Sequence, residues 1–237
     1  MATTQRADLH RRADALLDAA AALLTELGPR GLRIEDVAKR AGVGKGTVYL
    51  HWASREHLLL AVGARDAEAM YRSIVDAIRA DPGEAALHRY LRRSFLEAMR
   101  RPILRSIFIA DEAELGAFAG QPARSELAET ERTASREHLA ALREHRLLRP
   151  GSDLAEIDYA AQAIAYGFFA APALLPDDPR FTLESRADQL AEVVHRSFEP
   201  VRRPSPERYA AAAPRVAGAF ERLADGFRRA AYGTAAD

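Results

Sequence analysis

Between Gly44 and His51 the chain reads GKGTVYLH, a run that sets Lys45, Thr47, Tyr49 and His51 among two glycines. An ammonium at Lys45 can donate to a phosphate or to a guanine edge, and Thr47 can bond a phosphate or touch a thymine methyl. Tyr49 and His51 can donate to backbone oxygens, and Gly46, lacking a side chain, lets a helix approach a second surface closely. The chemistry of this set is that of gripping nucleic acid. The local charge agrees. Residues 28 to 57 carry six basic side chains (Arg30, Arg33, Lys39, Arg40, Lys45, Arg55) against Glu35, Asp36 and Glu56, whereas the whole chain has 34 basic and 34 acidic residues. Both of its lysines, Lys39 and Lys45, fall in this stretch. An excess confined to one segment is the electrostatic footprint that phosphates require.

The elements that must hold this set are legible around it. Ile34, Val37, Ala38 and Ala41 recur at i, i+3, i+4 and i+7, the apolar stripe of a short helix. Gly42 predicts its stop and a reversal of the chain, with Val43 as the apolar plug of the turn. A second helix over Lys45–Trp52 turns Val48 and Trp52 inward and leaves Lys45, Gly46, Thr47, Tyr49 and His51 outside. Upstream, Leu16, Ala20, Leu23, Leu24 and Leu27 mark an amphipathic helix ended by Gly28 and Pro29; downstream, Ser54 is a good N-cap for a long helix reaching about Ile78. Arg6, Arg11 and Arg12 precede the first helix, as a basic arm or a solvated tail. Taken alone, the glycine turn favours an ordinary αα-hairpin in a helical protein.

Val37, Ala38, Ala41, Gly42, Val43, Gly46, Thr47, Val48, Tyr49, His51, Ser54, Glu56 and Leu58 stand together in a register that resembles the DNA-binding domain of the TetR family of bacterial repressors. The resemblance implies an all-α protein: a three-helix head at residues 10–70 with its helix-turn-helix at 33–52, and a helical ligand-binding and dimerisation body at 71–237. It implies DNA contacts from Arg33, Gly44, Lys45, Gly46, Thr47, Tyr49, His51 and Arg55, and a fourth helix linking head to body. The chain departs from the family at four positions. Arg33 stands where Ser or Thr usually caps the second helix, so it is a weaker cap or reaches a phosphate instead. Gly44 replaces a serine, Trp52 a phenylalanine and Arg55 a lysine.

Beyond residue 80 the breaks at Asp81-Pro82-Gly83, Pro102, Gly120-Gln121-Pro122, Pro150-Gly151, Pro176 to Pro179 and Pro200 to Pro206 predict helices near 84–100, 103–118, 123–147, 153–174 (kinked at Pro172), 182–198 and 206–231. The run from Tyr159 to Ala171 is apolar on every side but for Gln162, so its helix needs partners on two faces. With the Leu190 and Val194 stripe that follows, those partners are either the rest of a monomer or a second copy, and the resemblance implies the second, a homodimer interface built on Ala161, Ile164, Phe168, Leu190 and Val194. The family layout places the dimer helices here, and a dimer suits a palindromic operator in double-stranded DNA. An effector pocket is implied by the resemblance alone; Phe95, Met99, Ile103, Phe108, Tyr166 and Phe169 are its candidate lining, with His88, Arg92 or Glu112 as polar anchor. The effector, an unknown small molecule, would shift the two heads away from the DNA-competent spacing. After Pro200, Val216, Phe220, Leu223 and Phe227 form one further stripe, with Pro214 starting or kinking the helix.

Composition closes several other routes. With no cysteine there are neither disulfides nor thiolate sites. No apolar run approaches the ~20 residues of a membrane helix, and the start MATTQRADLHRR has no signal-peptide core, so a cytoplasmic protein without membrane contact is expected. An enzyme is not expected. His138 and His145, seven apart, lie about 10.5 Å apart along a helix, too far to share an ion, and no other pair of histidines has helical ligand spacing. GVGKGT misses the phosphate-loop spacing. No cofactor is called for. The alternative to a regulator is a helical interaction module whose head has lost specific DNA binding.

Overall fold

In the computed structural model, which describes residues 2–109, 122–175 and 178–232, every regular element is helical. These are α1 (Ala2–Gly31), α2 (Ile34–Arg40), α3 (Lys45–His51), α4 (Arg55–Ala80), a 3-10 turn (Pro82–Ala85), α5 (Leu87–Arg100), α6 (Pro102–Ile109), α7 (Pro122–Glu144), α8 (Leu154–Leu174), α9 (Leu183–Phe198) and α10 (Pro206–Tyr232). They fall into two compact units.

The head comprises residues 2–68, 102–109, 122–128 and 225–232. Its core joins Leu16, Leu17 and Ala20 of α1 to Val37 of α2, Val48 and Trp52 around α3, Leu58 and Val62 of α4, and Ile103 of α6. Residues 2 to 12 are not a loose arm: no breaker precedes Gly28, so they are the first turns of α1. Gly28 interrupts that helix at φ 70, a conformation costly for a residue with a Cβ, and lets the chain turn toward α2. Arg65 pairs with Asp18 at 2.8 Å and so ties α4 to α1.

The C-terminal segment returns to the head as well, which the sequence did not indicate. Tyr232 stacks on His10 (centroids 4.7 Å apart) and donates its hydroxyl to Asp14 Oδ1 at 2.7 Å. Burial and that bond push the phenol up to about 12, so it remains a donor.

The body comprises 69–101, 129–175 and 178–224. The Leu190 and Val194 stripe of α9 packs along α5, and Arg92–Asp188 (2.7 Å) and Arg100–Glu184 (2.9 Å) flank the seam. Asp153 caps α8 by accepting from Ala155 N at 2.7 Å, and Thr182 caps α9 by accepting from Ser185 N at 3.1 Å. α8 runs through Pro172 to Leu174, and α10 starts at Pro206, with Pro214 inside it. At the centre, Tyr90 stacks on Phe220 (4.6 Å) while His138 meets both rings edge-on. His138 Nε2 donates to Ala85 O at 2.8 Å, and full burial drives its pKa down to about 4.

Candidate nucleic-acid interface

α2 is preceded by its N-cap Arg33, whose side chain makes no cap bond, while Glu35 and Asp36 in the first turn complement the helix dipole. It ends in a Schellman motif: Val43 N donates to Ala38 O at 2.9 Å, Gly42 N to Lys39 O at 3.2 Å, and Gly42 takes φ +68. Half-buried Val43 packs on the head core, as its position in the turn predicted. The chain then enters α3 through Gly44, again without a side-chain cap. Val48 and Trp52 are buried in the core, and their insertion fixes which face of α3 looks outward. Ser54 Oγ accepts from His57 N at 3.0 Å and starts α4 as expected.

The indole adds something that the phenylalanine of the family pattern lacks. Trp52 Nε1 donates to Ala231 O at 3.0 Å in a buried bond, so the last turn of α10 is locked onto the base of the recognition helix.

The outward face carries Lys45, Gly46, Tyr49 and Leu50, with Thr47 half-buried at its side. A Cβ built on Gly44 or Gly46 would meet nothing within 4 Å, so the fold does not itself demand glycine at either position. Lys45 Nζ bonds Glu35 and sits 5.8 Å from the Tyr49 ring centroid. The bond to Glu35 raises the lysine pKa, and the bond to Lys45 lowers that of Glu35, so both stay charged. His51 is half-buried beside Trp52; burial first, and the charge of Arg12 second, lower its pKa, leaving a neutral ring with one N–H to donate near neutral pH.

One of the expected contact residues has another local duty. Arg55 donates from Nε to Leu32 O at 2.9 Å and from Nη2 to Pro29 O, and so clamps the α1–α2 connection. Arg33 is exposed beside α2. Sequence reasoning missed Leu50, which is 85% exposed; the available signal was a leucine off the Val48–Trp52 stripe. An exposed aliphatic group on a recognition helix suits a thymine methyl.

The candidate body residues divide differently from expectation. Phe95 and Phe169 pack ring to ring at 5.1 Å, Met99 is half-buried, Tyr166 is exposed, and Ile103 belongs to the head core. The Phe108 side chain and Glu112 lie outside the described residues. His88 and Arg92 are engaged with Glu199 and Asp188. Of the five residues expected at a dimer interface, Ala161, Leu190 and Val194 are buried within the protomer because their stripes already pack on neighbouring helices; Ile164 and Phe168 are half-buried. The open side of α8 instead shows Tyr159 (79% exposed) and Tyr166 (60% exposed), two turns apart. A cleft of about 1080 Å³ elsewhere in the body is lined by Arg143, Arg146, Arg149, Arg202, Arg203 and Arg208 and by none of the expected pocket residues.

A short helix, a glycine-locked turn and a second helix with an outward polar face form a helix-turn-helix, the motif that many DNA-binding proteins place in the major groove. Residues 16–62 match the family of bacterial regulatory proteins described as tetR. The chain is 36% identical over 117 residues to the HTH-type transcriptional repressor KstR2 of Mycobacterium tuberculosis, a match covering 48% of this chain and 56% of that relative, so it spans about half the relative's length. Its fold is shared with SmeT, the repressor of the Stenotrophomonas maltophilia multidrug efflux pump SmeDEF (TM-score 0.57, 21% identity, 82% of this chain and 93% of SmeT). It is shared too with NalD, the secondary repressor of MexAB-OprM in Pseudomonas aeruginosa (TM-score 0.56, 21% identity, 82% and 99%). The tetR-type match thus covers the DNA-binding segment of the head, residues 16–62.

Proposed function

We propose that this protein is a sequence-specific DNA-binding transcriptional regulator, a repressor that leaves its operator when a small molecule binds. The observation that carries the reading is the outward face of α3, where Lys45, Gly46, Tyr49 and Leu50 have no role in the core yet offer a cation, a close-approach point, a phenol and a methyl-sized apolar contact. The repressor assignment draws support from KstR2, which is itself a repressor by name. The relatives are transcriptional regulators, and we read this chain as one, not as an enzyme. Among the described residues no helix is long and apolar enough to cross a membrane, and a regulator of this kind meets its operator in the bacterial cytoplasm.

A homodimer completes the proposal. Tyr159, Gln162, Ala163 and Tyr166 recur at i, i+3, i+4 and i+7 on the solvent side of α8, and two copies of that stripe would cover each other. Two recognition helices about 34–36 Å apart would then read a palindrome. Selection from a random DNA pool tests the whole reading, with wild type beside a Lys45→Ala, Tyr49→Ala double variant. Enrichment of a palindrome by wild type alone is expected. A folded wild type that enriches nothing at low salt would point to a helical interaction module instead.

A further inference from the structure

Within the body, the first turn of α5 and the last turn of α9 bring together three side chains that could hold a metal ion: His88, His195 and Glu199. Glu199, the C-cap of α9, is buried. Its Oε1 accepts from His88 N at 2.9 Å, and its Oε2 lies 2.7 Å from His88 Nδ1 and 2.9 Å from His195 Nδ1. One donor atom from each residue lies within 4.8 Å of the others, and the two imidazole rings are 4.9 Å apart at their centroids. The histidine side chains remain 24% and 39% exposed, which leaves an entry path for an ion.

We propose that these residues form a binding site for a divalent transition-metal ion of the zinc class. Two imidazole nitrogens and one carboxylate oxygen suit Zn²⁺, Co²⁺, Ni²⁺ or Cu²⁺, whereas Mg²⁺ and Ca²⁺ take sets made of oxygen. In a tetrahedral coordination sphere of radius ~2.1 Å neighbouring ligand atoms stand ~3.4 Å apart. The pairs at 2.7 and 2.9 Å must therefore open by about 0.5–0.7 Å to admit an ion. His195 and Glu199 are four residues apart, so the end of one helix presents both on the same side, and α5 supplies the third. Binding exchanges two Nδ1–H bonds to Oε2 for two Nδ1–metal bonds, each ring then carrying its hydrogen on Nε2. Three protein ligands leave a coordination position for water or an exogenous ligand.

The backbone around the site is fixed from a second direction. Arg149 N donates to Phe198 O at 2.8 Å, and its Nε donates to Glu199 O at 3.0 Å. Such outer bonds hold first ligands in place and are a regular companion of metal sites.

The test uses the full chain, purified without a histidine tag and stripped with a chelator. Zn²⁺ is titrated calorimetrically, and Co²⁺ is added while its visible ligand-field bands are recorded. One ion per chain, a cobalt spectrum of low coordination number, and a higher melting temperature with zinc are expected. His195→Ala should weaken binding at least ~100-fold and cancel the zinc-dependent rise in melting temperature, while its circular dichroism stays that of wild type. His88→Gln should do the same, and Mg²⁺ should not compete. A folded wild type giving neither heat nor cobalt bands would overturn the proposal and leave the cluster as a hydrogen-bonded tie. So would binding that survives both histidine variants.

Discussion

Gly46 offers a perturbation in which folding and DNA binding must move in opposite directions. It sits in the first turn of α3, exposed, with nothing within 4 Å of where a Cβ would be and a backbone conformation open to any residue. Alanine there relieves the entropic cost of a helical glycine, a gain of about 0.5–1 kcal/mol. For a chain of this size such a gain raises the melting temperature by about 1–4 °C. On DNA the same methyl stands between the helix backbone and the groove wall, and in a dimer it does so twice. We expect Gly46→Ala to weaken operator binding at least tenfold, about 1.4 kcal/mol. Fluorescence anisotropy on the selected operator, at one fixed salt concentration, and thermal melting of the same preparation give the two numbers. Because the variant is the more stable protein, lost affinity cannot be put down to unfolding. An affinity within twofold of wild type, with the expected rise in melting temperature, would refute close approach at Gly46 and with it the docking of this face of α3. Gly44→Ser is the companion variant: it restores a cap worth a few tenths of a kcal/mol and adds a hydroxyl at the edge of the interface.

Four further outcomes follow from other contacts. Lys45→Ala should flatten the dependence of log affinity on log salt by about one unit per protomer; Glu35→Gln, which releases Lys45 from its intramolecular partner, should strengthen binding a few-fold at low salt and little at high salt. An unchanged slope in the lysine variant would remove Lys45 from the phosphate contacts. Trp52→Phe leaves the buried Ala231 carbonyl without its donor and should cost about 1–3 kcal/mol, seen as a lower melting temperature and faster amide exchange over residues 225–232; a melting temperature equal to wild type would show that the bond contributes nothing. His138 is held neutral in the fold, with its pKa lowered from 6.5 to about 4. The unfolded chain therefore takes up this proton first as pH falls. Stability should be lost between about pH 6.5 and pH 4, reaching roughly 3 kcal/mol below that window. Denaturant titrations of wild type and His138→Gln across the window should diverge in slope, and parallel curves would contradict the burial argument.

What could be read from the sequence was whatever local backbone chemistry decides. A turn that needs φ > 0 advertises itself by glycine, so Gly42 and the plug at Val43 were legible, as was the Ser54 cap. The outward polar face of α3 followed from the inward stripe. Arg55 was legible as a charge but not by destination, because a flexible side chain reaches carbonyls 23 and 26 residues back, at Leu32 and Pro29. Composition cannot reveal such a choice between an internal carbonyl and an external phosphate.

The body shows the same limit at larger scale. The α9 stripe announced that Leu190 and Val194 would be buried, yet an apolar stripe does not say against what. A helix of the same chain, α5, satisfies it as fully as a second copy would. The proposed dimer interface must then be sought among apolar side chains that remain uncovered after the chain has packed on itself, which points to Tyr159 and Tyr166. A search for paired histidines likewise passes over His195 and Glu199, although their spacing of four is plain in the sequence, because the third member of that set lies 107 residues earlier, at His88. Trp52 and Ala231, 179 residues apart, make the same point in the head. The additional N–H of an indole was visible as a departure from the family pattern, but its acceptor exists only once the C-terminal helix has folded back. A departure of this kind is thus best read as a question about tertiary contact, and here the contact ties the last turn of α10 to the helix proposed to read DNA.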